Sequence, residues 1–301
     1  MAVIPAPALQ ALRTTFNSSF QSGYANTTPW SQRIASTVPS ANASNTYGWL
    51  SRIAQLREWI GPRTIENLTE HSYVLTNRKF ELTVGLDIDD YEDDNLGIWS
   101  LNTQEMGRAA AEWPDVLVGD AIQLGDTTGL CFDGLSFFNT AHPLDPAGNQ
   151  SNSLNLALTP ANYQTARATM ASYTGEDGRP LKTMPNMLVV PPQLERAALE
   201  IVNADMIPSD AGTASQTNVL RGSAEVLVIP EFSNEPTVWY LADASKPIRP
   251  MIFQQRKAPT IVSKTTPTDD NVFFDQQLVW GVDARGEAGY SLWFLMLRSA
   301  P

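Results

Sequence analysis

NRKFELTVGLDIDDYEDDNLGIWSLNTQEMGRAAAEWPDVLVGDAIQLG, residues 77–125, decides the fold class of this 301-residue chain. Phe80, Leu82 and Val84 alternate with Lys79, Glu81 and Thr83, the period-two pattern of a strand with one buried face. After Gly85 the pattern changes. Asp87, Asp89, Asp90, Glu92, Asp93 and Asp94 crowd together, and Asn95 stands where a helix cap belongs. Met106, Ala109, Ala110 and Trp113 then recur at helical spacing. Carboxylates suit such an entrance, because unpaired amide groups leave a helix start partly positive. Pro114 cannot donate a backbone hydrogen bond, so the helix is expected to kink or split there. Pro114-Asp115 would open a second segment carrying Val116, Leu117, Ala121 and Leu124 and ending at Gly125. The pattern predicts a spine of roughly 30 residues, about 45 Å long.

Upstream, RTIENL (residues 63–68) reads as a strand joined to KFELTVGL through a polar segment holding His71, Tyr73 and Asn77. The expectation is a hairpin over residues 63–86. It is rich in Thr, Glu, Asn, Arg and Lys, so it should project from the body, and a two-stranded ribbon is marginal without something to lie on. Its apolar face is Ile65 and Leu68 on one strand and Phe80, Leu82 and Val84 on the other. Trp49, Leu50, Ile53, Leu56 and Trp59 mark where packing begins. Residues 1–45 hold a short amphipathic piece (Leu9, Leu12, Phe16, Phe20) and then a run of Ser, Thr, Asn, Ala and Pro. Burial in that run cannot offset its own ordering entropy, so it is expected to be a disordered arm or one ordered only against a neighbour.

Downstream, TPANYQTARATMASY has a capping threonine, a proline at the first helical position and helical spacing. NMLVVPP reads as a short buried strand, and Leu194, Ala197, Ala198, Ile201 and Val202 as a helix. IPSDAGTASQTNVLRG is a polar loop, and AEVLVIPEF and TVWYLAD are strands. MIFQQRKAPTIVSKTT, NVFFDQQLVWGVDARG and AGYSLWFLMLRS predict three or four long strands in an antiparallel sheet. The fold class is α+β, with a spine helix, a β-rich C-terminal part and an inserted α/β unit.

With 43% hydrophobic and 17% charged residues the chain has a core to bury, in one large or two modest domains. A net charge of −12 argues against binding nucleic acid through its phosphates, which needs clustered Lys and Arg. Cys131 is the sole cysteine, so no intrachain disulfide forms and a reducing cytoplasm is the expected origin. No signal peptide is expected from MAVIPAPALQALRTTF, and no run of about 18 apolar residues is present to span a membrane.

The search for chemistry returns little. The Asp87–Asp94 cluster lacks the spaced ligands and central glycine of a calcium loop, and two histidines with one cysteine do not make a zinc set. Neither a metal nor a cofactor is expected. Cys131 and His142, with Asp133 or Asp145 as orienter, are the one nucleophile arrangement to weigh. A buried cysteine and a turn histidine before Pro143 are the simpler reading, since free cysteine is among the most buried residue types. No G-x-S-x-G, P-loop or G-x-G-x-x-G motif is present. Pairs such as Glu231 with Glu235, or Asp269 with Asp270, are what any acidic chain contains. The eight tryptophans are spread along the chain as core and interface anchors.

Several motifs carry a resemblance. SNTYGWL (44–50), REWIGPRTI (57–65), FELTVGLDIDDYEDDNLGI (80–98), QEMGRAAA (104–111) and CFDGLSFFNTAHP (131–143) look like the major head subunit of Mu-like phages and prophages. ASKPIRPMIFQQRKAP (244–259) and DDNVFFDQQLVWGVDARGEAGYSLW (269–293) are similar to the family's C-terminal half. The resemblance implies an HK97-like capsid fold with an N-terminal arm (1–45), an extended β-hairpin loop region (46–94), a peripheral domain of spine helix and β-sheet (95–144 and 246–301) and an inserted α/β axial domain (145–245). It implies a structural subunit without catalytic residues, assembling as hexamers and pentamers into an icosahedral shell around double-stranded DNA. Scaffold, portal and decoration proteins are the implied partners. The site is the virion, with assembly in the host bacterial cytoplasm. Laid on a neighbouring subunit, the hairpin makes Arg63, Ile65, Glu66, Leu68, Arg78, Lys79, Phe80, Glu81 and Leu82 the contact candidates, the charged ones setting register. A cytoplasmic hydrolase using Cys131 and His142, and an encapsulin-like compartment, are the alternatives.

Overall fold

The alternation that begins at Phe80 finds its partner strand in the C-terminal part of the chain, and that pairing builds the first of two main sheets. The computed structural model describes residues 6–50, 70–92, 97–144, 148–175, 178–208 and 215–301. In chain order the elements are α1 (Ala6–Asn26), α2 (Ser31–Ile34), β1 (Ala35–Pro39), β2 (Ser44–Leu50), β3 (Glu70–Thr76), β4 (Arg78–Asp87), α3 (Ile88–Glu92) and α4 (Ile98–Leu124). Then come β5 (His142–Leu144), β6 (Gly148–Gln150), β7 (Ser153–Leu154), α5 (Pro160–Ala171), β8 (Met187–Val190), α6 (Glu195–Asn203), β9 (Met206–Pro208), β10 (Ser215–Thr217), β11 (Glu225–Val228) and β12 (Trp239–Ala242). The chain closes with β13 (Met251–Lys264), α7 (Asp270–Asp275), β14 (Gln277–Tyr290) and β15 (Met296–Ser299).

The first sheet has the order β1-β13-β14-β4. β13, β14 and β4 are antiparallel, with Phe80 opposite Ala284 and Leu82 opposite Val282. Leu278, Trp280, Val282, Ala284 and Ala288 of β14 are buried on the face covered by α4 and α1. Of the expected hairpin over residues 63–86, the connecting segment is itself a strand, β3. The hairpin's first strand lies outside the described residues, and β4, its second, pairs with β14 along its length. A two-stranded ribbon is formed by β2 with β3, running from Ser44 opposite Thr76 to Leu50 opposite Glu70. The apolar face of β4 is matched by the long alternation of β14, a non-local pairing that no local pattern announces.

The N-terminal segment also differs from expectation. Within the described residues α1 is a 21-residue helix lying on α4 of its own chain, with Leu12, Phe16 and Phe20 buried. The expected amphipathic piece is thus a helix that continues to Asn26, and small residues permit its contact with α4. A β-carbon at Gly107 would stand 2.1 Å from the Phe20 carbonyl oxygen, and one at Gly23 would stand 2.0 Å from that of Gln104. The two helix backbones thus approach through paired glycines, closer than larger side chains would allow.

The spine α4 runs 27 residues without interruption through Pro114, about 40 Å at 1.5 Å per residue. It is neither split nor restarted. Packing against the sheet on one side and α1 on another holds the turns around the proline, and tertiary contact commonly outweighs local preference. Asn95 lies outside the described residues, and the residue preceding the helix is Gly97, in the left-handed conformation at φ 68°. Asp89 and Asp90 stand in the first turn of α3, not of the spine.

Immediately after the proline, Asp115 is 4% exposed and accepts hydrogen bonds from the backbone N–H of Trp30 (3.1 Å) and Ser31 (2.8 Å). It thereby holds the start of α2 and delivers the chain into β1, which pairs parallel with β13 from Ala35 opposite Met251.

The second sheet has the order β11-β8-β12-β15-β7, and every residue of β8 and β12 is buried. α5 begins as the sequence indicates, with Thr159 Oγ1 accepting from the Asn162 N–H at 3.2 Å. β15, which the sequence grouped with the terminal sheet, pairs with β12 instead. The NVFF segment is helix α7 rather than strand. One hydrophobic core runs from Ile34, Val118 and Phe253 through Phe137 and Tyr290 to Leu188, Trp239 and Leu297, and so joins both sheets.

Two outcomes follow for stability. Gly107→Val should lower the melting temperature of the unassembled subunit, at a cost of about 1–3 kcal/mol for overpacking. Gly48→Ala, where a β-carbon meets nothing within 4 Å, should change it far less. Burial raises the Asp115 carboxyl above its ordinary value, against the pull of the Ser31 and Trp30 hydrogen bonds. The folded state therefore holds the proton more tightly than the unfolded chain. Asp115's contribution is present below the unfolded value, about 3.9, and declines as pH rises through the folded one. Asp115→Asn should flatten that part of the stability–pH curve, measured as melting temperature against the unsubstituted chain.

Candidate assembly surfaces

The ribbon is rooted by buried polar groups. Gln254 on β13 donates to the Leu75 carbonyl (3.2 Å) and to Asn77 Oδ1 (2.8 Å), and its own oxygen accepts from the Tyr47 hydroxyl at 2.8 Å. Asn77 donates in turn to Ser40 Oγ (3.0 Å) and the Asn42 carbonyl (2.9 Å). Tyr73 accepts from the Tyr290 N–H at 3.3 Å, and burial pushes its phenol up to about 12. Gln254 and Asn77 are both buried, so each lost partner leaves a polar group without water. Between the anchored Tyr73 and Leu75, Val74 of β3 is exposed.

Of the nine predicted contact residues, Arg63, Ile65, Glu66 and Leu68 lie outside the described residues. The other five stand on β4, an edge strand of the first sheet. Phe80 is half-buried against Trp113, ring centroids 5.2 Å apart. Arg78 lies 5.3 Å over the Phe80 ring and pairs with Glu287, one bond measuring 2.9 Å. Lys79 is exposed, Glu81 accepts from Thr83 Oγ1 at 2.6 Å, and Leu82 is 39% exposed. Arg78 and Phe80 are thus largely engaged within the subunit, while Lys79, Glu81 and Leu82 are exposed on a strand that is the sheet's edge among the described residues.

The nucleophile arrangement does not form. His142 is fully buried and stacked on Trp293, centroids 4.4 Å apart. Its Nδ1 meets Asp133 Oδ2 at 2.5 Å, and Nε2 lies 3.3 Å from the Phe137 carbonyl and 3.2 Å from Asn152 Oδ1. Cys131 is buried and directs its thiol to the Ser291 carbonyl at 3.7 Å. Burial pushes that thiol well above its ordinary value, the opposite of an activated nucleophile. Among the described residues no group of three or more His, Cys, Asp and Glu is placed to hold a metal ion. Asn152, fully buried, also donates to the Phe137 (2.7 Å), Trp293 (3.2 Å) and Met296 (3.1 Å) carbonyls. His142 and Asn152 therefore tie the loop after α4 to the C-terminal segment. An isolated Asn in a turn-rich stretch carries no signal of this role.

Among the described residues the motif-bearing segments thus make a rooted ribbon, an edge strand and a spine, and bring no reactive centre together. The family model described as "Mu-like prophage major head subunit gpT" matches residues 9–158, 154–232 and 231–300. The chain belongs to the Mu-like major head subunit family. The head subunit is 33% identical to the major capsid protein of Escherichia phage Mu over 97% of its length and 73% of that protein. Its fold matches the procapsid of bacteriophage JBD30 at a TM-score of 0.62 and 30% identity, covering 99% of this chain and 76% of that one. The JBD30 capsid decorated with minor capsid protein trimers matches at 0.56 and 29%, covering 76% and 99%. The head subunit is a structural capsid protein of the phage virion with the HK97-like fold. These matches favour a phage shell over an encapsulin-like compartment. Among the described residues no helix is long and apolar enough to cross a membrane.

Gln254→Leu should cost about 1–3 kcal/mol by leaving Tyr47 and Asn77 without their buried partner. Limited proteolysis of the unassembled subunit should then cut within β2 or β3 faster, while cleavage elsewhere keeps its rate.

Proposed function

We propose that the subunit assembles through hexamers and pentamers into an icosahedral shell enclosing double-stranded DNA, with no catalytic role of its own. The observation that carries this reading is the ribbon. Its root is locked by Gln254 and Asn77, yet β2 and β3 form a two-stranded sheet by themselves, and such ribbons gain stability by lying on another surface. A neighbouring subunit supplies that surface. Arg63, Ile65, Glu66 and Leu68 of the segment between β2 and β3, and Arg78, Lys79, Phe80, Glu81 and Leu82 of β4, are the proposed contact residues. The proposed organisation is an arm (1–45), an extended loop region (46–94), a peripheral domain (95–144 and 246–301) and an axial domain (145–245).

Assembly takes place in the host bacterial cytoplasm with scaffold and portal proteins, and a decoration protein binds the finished shell, as trimers do on the related JBD30 capsid. A net charge of −12 lets packaged DNA lie against the shell without adhering, since phosphate binding needs clustered cations. The buried, unactivated Cys131 supports a structural role over hydrolysis.

Electron microscopy and sedimentation of the overexpressed chain test the proposal. Capsomer rings or closed shells are expected. A strictly monomeric species at every salt concentration, or turnover abolished by Cys131→Ala in a protein that still folds, would overturn it.

A further inference from the structure

The second sheet presents unpaired charge of opposite sign at its two ends. β8 and β11 run parallel, with Glu225 opposite Met187 and Val228 opposite Val190, so the chain enters both strands at one end of the sheet and leaves both at the other. At the leaving end Glu195 opens α6 and Glu231 follows β11. Their turns are tied together, because Gln193 Nε2 donates to the Ser233 carbonyl at 3.1 Å. Both carboxylates are exposed and without an ion-pair partner among the described residues.

At the entering end stands Arg167 of α5. Its Nη1 donates to the carbonyls of Pro185 (2.7 Å) and Ser223 (2.8 Å), on the segments that lead into β8 and β11, and the guanidinium lies 5.8 Å over the Tyr163 ring. The group is thereby fixed. Its Nε and Nη2 have no partner among the described residues and are not buried. The carboxylates at this end are engaged elsewhere: Glu225 pairs with Arg33, Asp205 with Arg221, and Asp243 accepts from the Met184 and Ser245 N–H groups. A half-buried cation is left without a counter-ion, a state that an incoming anion relieves.

We infer that Arg167 receives a carboxylate of a second copy, Glu195 or Glu231, so that the entering end of one second sheet meets the leaving end of the next. The inference deepens the shell reading above and rests on it. A carboxylate is the ligand because the two parallel N–H groups along the free edge of the guanidinium match its two oxygens. A second copy is the source because the complementary groups lie on one chain, yet at opposite ends of the same strands. Two entering ends brought together would instead set Arg167 against Arg167. Such a contact is head-to-tail, and contacts of that kind close into rings when their rotation permits, as capsomers require. An arginine already held in place loses little freedom on pairing. Met184, next to Pro185 and 54% exposed, adds apolar area beside the charge.

The test uses the full-length chain assembled without DNA. Arg167→Lys keeps a cation at the site and offers an amine that a carbodiimide couples directly to a touching carboxylate. Shells of this variant should yield peptides joined between subunits from position 167 to Glu195 or Glu231. Intact shells that give no crosslink from position 167, or crosslinks only to other residues, would overturn the inference. Arg167→Gln, which keeps an amide donor for the two carbonyls, should raise the concentration needed for assembly about tenfold. Glu195→Gln with Glu231→Gln, at exposed positions, should do the same from the other side, and reads the contact even where Arg167→Gln does not fold. Combining all three should raise the threshold no further, because the pair is already broken. Thresholds equal to that of the unsubstituted chain would contradict the inference while leaving the shell reading intact. So would unchanged assembly with lost retention of packaged DNA in Arg167→Gln, which would make the ligand a phosphate. If the unsubstituted chain forms no capsomer or shell, the shell reading fails and this inference falls with it.

Discussion

Trp113 sits over Gly286, and that contact sets the distance between the spine helix and the sheet. A β-carbon at Gly286 would stand 2.9 Å from Trp113 Cη2 and 2.5 Å from the Gln254 carbonyl oxygen, so the indole occupies space that only glycine leaves open. Its ring meets Phe80 of β4 and Phe253 of β13, each with centroids 5.2 Å apart. One side chain on the helix therefore touches three neighbouring strands. Aromatic pairs of this kind are worth about 0.5–1.5 kcal/mol each beyond the area they bury. The larger consequence is geometric, because strand order and helix position are fixed together.

What hangs from this unit follows from it. β13 carries Phe253 toward the helix and Gln254 away from it, so the residue next to the aromatic clamp anchors the ribbon by three hydrogen bonds. The root is thus as well placed as the core. β2 and β3 beyond it have hydrogen bonds to each other but little core to join. On the other side, Asp115 follows Trp113 on the spine and captures the start of α2, which aims β1 at the opposite edge of the same sheet. A subunit built in this way is a stiff sheet-and-helix body with an extended appendage. That suits a shell in which copies of one chain must meet in slightly different arrangements.

The parts legible in the sequence were those with a local period. The β4 alternation, the spine spacing, the Thr159–Pro160 start of α5 and the all-apolar β8 and β12 could each be read within a short window, and the motifs at 44–143 and 244–293 carried the family. What was missed depends on residues far apart in the chain. The partner of β4 was taken to be its upstream neighbour, because nothing in RTIENL or KFELTVGL states that β14 fits better. The amphipathic piece with Leu12, Phe16 and Phe20 was read, but not its seat on the spine, where Gly23 and Gly107 let the two helices approach closer than bulk would permit. Pro114 was read as a kink or a split, and the helix runs through it unsplit, packed on both sides. Four of the contact candidates, on the first strand of the expected hairpin, lie outside the described residues. Those on β4 stand on the sheet's edge strand among the described residues, whereas the exposed Phe273 and Phe274 were hidden in a segment read as strand.

The central claim is that the sheet and spine are complete within one subunit, whereas the ribbon draws its support from a neighbour. Hydrogen–deuterium exchange compared between unassembled subunits and closed shells tests this most directly, since amide protection reports local opening. The account predicts that amides of β14 and α4 exchange slowly in both states, and that those of β2 and β3 exchange quickly in the free subunit and slowly in the shell. Equal protection of the ribbon in the free subunit and in the shell would contradict it.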